Sequence, residues 1–132
     1  MKKTDKTRAL LLLKMLIANG LIIYLAAYFY PGAVVLGNAS LTSMAALVVT
    51  AILLTLIISQ VEPLLKLTKV KLKGDLSMAV VYGLVNVVGL WIIARAAIYT
   101  GFGISTVSVA VILGIVLNLV QYLVWKLVMG KK

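Results

Sequence analysis

The sequence predicts an all-α integral membrane protein, a single transmembrane domain over residues 1–132 built as a four-helix bundle, and three observations carry that expectation. Hydrophobic residues make up 64% of the 132-residue chain, more than a water-soluble domain of this size keeps in solution. They gather into four apolar stretches, each near the roughly 20 residues a helix needs to cross a bilayer core about 30 Å thick. The thirteen Lys and Arg residues stand in short clusters beside those stretches and not along one soluble face. The net charge of +10 therefore points to a membrane surface as partner, and no nucleic acid is expected.

The first helix is expected from about residue 9 to 30. Its basic start resembles a signal peptide, but the apolar run is as long as a full crossing, whereas a secretory h-region spans about 7–15 residues, so the segment is expected to be retained. Pro31-Gly32 stops it and opens an uncharged turn. A second helix is expected from about 41 to 65, kinked or ended by Glu62-Pro63. The loop of about 66–75 carries Lys66, Lys69, Lys71 and Lys73, placed to grip anionic lipid headgroups at ~1 kcal/mol per charge. Glu62 can pair with Lys66 one turn on. Asp75 is suited to cap a third helix, expected from about 76 to 99. A second uncharged turn, Thr100 to Ser105, leads to a fourth helix from about 106 to 129.

Orientation follows from the basic residues, which are held on the cytoplasmic side when they flank short loops. Twelve of the thirteen fall at the two termini and the central loop, if Lys14 and Lys126 snorkel back along their helices. Both termini and the basic loop are therefore expected to be cytoplasmic. Arg95 alone lies near the opposite boundary, where it either snorkels or binds a lipid phosphate or anionic solute.

Polar residues at membrane depth are unfavourable unless they face protein or water, which makes their positions informative. On the third helix Ala79, Gly83, Asn86, Leu90, Ile93 and Ala97 fall on one stripe, and on the fourth Thr106, Ala110, Gly114, Asn118, Gln121 and Trp125 do the same. Small residues permit close backbone approach, and amides bond across helices. Packing, within the bundle or between copies in a homo-oligomer, is the simpler reading; lining a solute path is the other. Asn19 with Asn86, and Gln60 with Gln121, hint that the halves form a parallel 2+2 hairpin repeat.

Several function classes are excluded by residue type. The chain has no Cys and no His, so no disulfide, thiol nucleophile or zinc site is expected, and metals and cofactors are expected to be none. Glu62 and Asp75 fall at the cytoplasmic boundary and not at mid-membrane, which argues against a proton-driven exporter. No paired carboxylate, phosphate-cradling loop or serine with a base is present, so the chain is read as a non-enzyme with no catalytic residues.

Three segments together resemble phage holin family 4, the superfamily IV four-helix holin-like proteins. They are Ala26-Ala27-Tyr28-Phe29-Tyr30-Pro31-Gly32, Pro63 to Leu67, and Asn86 followed by Leu90 to Arg95. The chain departs from that pattern at Glu62, in its more basic central segment, and at Tyr99-Thr100, where a second Pro-Gly turn is usual. The resemblance implies a bacterial inner-membrane protein that self-associates and permeabilises the membrane. Asn118-Leu119-Val120-Gln121-Tyr122 with Trp125-Lys126 also looks like the ending of flippases of polyprenol-linked sugars. A structural or stress-response membrane protein without transport fits the composition equally.

Overall fold

A computed structural model of the chain describes residues 3–67 and 74–129. Lys69, Lys71 and Lys73 lie outside the described residues, as do the side chains of Glu62, Lys66 and Asp75. The elements run α1 (Lys3–Phe29), β1 (Val34–Leu36), α2 (Ser43–Ser59), α3 (Val61–Leu67), α4 (Gly74–Arg95), α5 (Ala97–Thr100), β2 (Phe102–Ile104) and α6 (Val107–Met129). The architecture is all-α apart from one short ribbon. Four stretches, 6–29, 43–65, 77–95 and 107–128, are long and apolar enough to cross a membrane, and the chain is a small multi-pass membrane protein.

Three boundaries correct the expectations. The first helix begins at Lys3 and not near residue 9, because Lys and Arg are good helix formers and carry the helix past its apolar run. The second is broken after Ser59 and resumes at Val61. Pro63 has no N–H for the Ser59 carbonyl four residues back, and its ring crowds that group. The Gln60 amide turns back to Ile57 O at 3.2 Å, and Leu64 N restarts the ladder on Gln60 O at 3.0 Å. The third helix ends at Arg95, where the Ala96 amide is shared between Ile92 O and Ile93 O at 3.2 Å each, and a single further turn, α5, follows.

The two uncharged turns are not loose. Val34 pairs with Ile104, Val35 with Gly103 and Leu36 with Phe102 in an antiparallel ribbon. Gly101, at φ 72°, ends α5 in the left-handed region, which an L side chain adopts only with strain. Asn38 then stitches this end together. Its Oδ1 accepts from Ser40 N and Leu41 N at 2.8 and 2.7 Å, while its Nδ2 donates to Ala97 O and Ile98 O at 2.8 and 3.0 Å. Thr42 caps α2 by accepting from Ala45 N at 3.1 Å. These bonds satisfy backbone groups that would otherwise be unpaired near lipid.

The spanning helices form a ring in which α1 packs on α2, α2 on α4, α4 on α6, and α6 back on α1. Their inward faces supply Ile23, Leu54, Leu90, Ile93, Ala110, Leu113 and Leu117. Phe102 and Val34 of the ribbon close one end of that core and are almost wholly buried. The outward faces are apolar too, as lipid requires: Leu13, Ile17 and Leu21 on α1, and Ile112, Ile115 and Leu119 on α6, are exposed.

Candidate functional site

Asn19 of α1, Thr55 of α2, Asn86 of α4 and Gln121 of α6 meet inside the bundle, each at most 7% exposed. The apolar spans have midpoints near residues 17–18, 54, 86 and 117–118, so the four side chains form one layer at about mid-depth. Asn19 Nδ2 donates to Thr55 Oγ1 at 2.9 Å. Gln121 Nε2 donates to Asn19 Oδ1 at 2.7 Å and to Asn86 Oδ1 at 2.9 Å. Asn86 Nδ2 returns a bond to Gln121 Oε1 at 2.8 Å.

Local helix structure aims these groups. Asn86 spends its other amide proton on Tyr82 O, one turn back, at 2.8 Å. Thr55 donates its hydroxyl to Ala51 O at 2.7 Å, which turns a lone pair toward Asn19. A neutral amide is donor and acceptor at once, so each oxygen and each nitrogen in the layer has a partner without any charge. The arrangement clamps four helices together; it offers nothing that exchanges a proton in the physiological range. Outside it, the buried Thr50 Oγ1 has no hydrogen-bond partner among the described residues.

The residues expected from the stripes divide into three groups. Asn19, Asn86 and Gln121 share the layer. Gly83, Gly114, Ala110 and Asn118 sit where α4 meets α6. A Cβ on Gly114 would stand 2.6 Å from Val87 Cγ2 and 3.1 Å from Val87 N, and one on Gly83 would stand 3.3 Å from Asn118 Nδ2. Asn118 Nδ2 donates to Ala79 O at 3.0 Å, so Ala79 contributes its carbonyl while its side chain is exposed. Thr106 and Trp125, the ends of the fourth-helix stripe, and Ala97 with them, do not join the layer; the first two are exposed. Gln60 does not take the place of Gln121 in the other half. It is exposed at the end of α2 and touches Ser59 Oγ at 3.3 Å.

Thr55 is the member that sequence reasoning missed. A threonine in an apolar helix satisfies itself on the carbonyl four residues back, so nothing local marks it as a bridge. Its signal is depth alone, one residue from the centre of its span. Beside it, an open apolar groove of about 190 Å³ runs between α1 and α2, lined by Leu12, Leu13, Leu16, Ile52, Thr55 and Leu56.

At the ribbon end of the bundle Arg95 is exposed, with its guanidinium carbon 5.5 Å from the centre of the Trp91 ring. Comparison of the chain with protein-family models, with curated proteins and with solved structures finds no match.

Proposed function

We propose that the chain is a holin-like membrane protein of the bacterial cytoplasmic membrane, resting as the closed bundle and permeabilising the membrane when copies assemble. The observation that carries this reading is the mid-depth layer of neutral polar groups contributed by all four spanning helices. Within one bundle these groups bond only to one another and to their own helices. Hydrogen bonds between membrane helices are each worth only about 1 kcal/mol, so exchanging them for bonds to a neighbouring copy or to water is within reach of assembly. An uncharged polar ring is the surface a water-filled lesion needs at its narrowest depth.

The similarity of Ala26 to Gly32, Pro63 to Leu67 and Leu90 to Arg95 to the holin-like pattern supports the same reading. The Lys and Arg distribution supports cytoplasmic termini. A parallel 2+2 repeat is part of the proposal, supported by the near-equal sequence offsets from Asn19 to Asn86 and from Thr55 to Gln121 in the polar layer.

The test is induced expression in a bacterium carrying a membrane-potential dye and a cytoplasmic endolysin without an export signal. Abrupt depolarisation followed by endolysin-dependent lysis is expected. Growth with intact potential, at confirmed membrane expression, removes the lesion reading. A carrier of polyprenol-linked lipid then moves ahead, favoured by the α1–α2 groove, whose apolar walls suit an isoprenoid tail and whose Thr55 belongs to the polar layer.

A further inference from the structure

Among the described residues the ribbon end of the bundle carries a single formal charge. Between Lys14 and Glu62, and between Asp75 and Lys126, Arg95 is the one ionisable residue of the acidic or basic kind. The three acids are Asp5, Glu62 and Asp75. Asp75 stands a full helix away from Arg95, about 30 Å at ~1.5 Å per residue, and Asp5 and Glu62 belong to the same far end, next to the start of α1 and within α3. Among the described residues no carboxylate stands beside Arg95, so an anion that pairs with it there comes from outside the bundle.

The side chain is also prepared to receive one. Its guanidinium carbon lies over Trp91, 5.5 Å from the ring centre, inside the roughly 6 Å at which a cation is held by an aromatic face. That contact sets the planar fork beside the ring. Among the described residues neither the Arg95 N–H groups nor the Trp91 indole N–H has a protein acceptor. Two kinds of donor therefore stand together on exposed side chains, without a protein acceptor among the described residues. Tyr28, Phe29, Tyr30 and Tyr99, all more than 60% exposed at this end, mark the level where aromatic rings meet lipid headgroups.

From this geometry we infer that Trp91 and Arg95 form a binding site for a phosphate oxyanion, presented by the headgroup of an anionic phospholipid in the leaflet at the ribbon end. Arg95 takes two phosphate oxygens with its fork, the arrangement for which a guanidinium is better shaped than an ammonium. The Trp91 N–H donates to a further oxygen or to a headgroup hydroxyl, while its ring lies along the acyl chains. The site rests on the membrane-spanning character of the chain alone and stands or falls independently of permeabilisation.

The chain has two tryptophans, so W125F leaves Trp91 as the only indole fluorophore. In bilayers mixing phosphatidylcholine with phosphatidylglycerol, one lipid at a time is brominated on its acyl chains, and quenching of Trp91 reads which lipid sits beside it. The expected result is about a fivefold preference for phosphatidylglycerol, lost in W125F/R95Q and partly kept in W125F/R95K. Raising salt should reduce the preference without any change at Arg95, because the pair is exposed, and this keeps the test informative if R95Q loses its helical circular dichroism. Equal quenching by both lipids, or a preference that survives R95Q in a helical protein, overturns the site and leaves Arg95 as a snorkelling cation. Removal of the preference by inorganic phosphate at low ionic strength, with sulfate-free chloride at equal ionic strength without effect, overturns the lipid assignment in favour of free phosphate.

Discussion

Gln121 makes three of the bonds that cross between helices in the mid-depth layer, two as donor and one as acceptor. Removing its amide leaves Asn19 Oδ1 and Asn86 Oδ1 buried without their donor, and an orphaned buried group costs more than the mean value of the bond it lost. Q121L is therefore expected to lower stability in detergent by about 1–3 kcal/mol, read from thermal or denaturant unfolding. Coupling gives a sharper test. Because Asn86 and Gln121 bond to each other twice, N86L/Q121L should cost less than the two single changes combined; strict additivity would mean that the two amides do not hold one another. Three members of this layer were legible as polar residues at membrane depth. Their mutual contact was not, since Asn19 and Gln121 lie 102 residues apart and periodicity reports only which face of its own helix a residue occupies.

At the scale of elements, the seam between α4 and α6 turns on Gly114. An added Cβ there meets Val87 side chain and backbone together at 2.6 and 3.1 Å, while one on Gly83 meets the end of the Asn118 side chain at 3.3 Å. A side-chain tip can swing aside, whereas a helix backbone must move whole. G114A is expected to destabilise by about 1–3 kcal/mol and G83A by clearly less, compared by unfolding of the two variants under the same conditions. Equal effects would contradict the close approach at Val87. The apolar spans themselves were readable because each is a property of one contiguous segment. The ribbon was not readable, because its strands are three residues each, too short to show alternation, and they find each other across nearly 70 residues. The break at Gln60 was half readable: Pro63 announces it, and the lost bond to Ser59 sets where it falls.

For the whole molecule, orientation is the open quantity that the charges address. The chain contains no cysteine, so single replacements on the exposed residues Lys6, Ser40, Ser105 and Lys126 label cleanly. With a membrane-impermeant maleimide on intact cells made permeable at the outer envelope, S40C and S105C are expected to react, and K6C and K126C only after the inner membrane is opened. The reverse pattern would invert the topology. By itself the sequence determined that the chain crosses a membrane four times as helices, because hydrophobicity summed over about 20 residues outweighs every local preference within them. It also determined which residues carry the burden of being polar at depth. Only the tertiary structure decided that these residues satisfy one another, that Thr55 completes them, and that two uncharged turns close one end of the bundle. In lipid both faces of a helix are apolar, so the pattern that tells a soluble helix which side to bury is missing, and the choice of neighbour passes to shape and to a few hydrogen bonds.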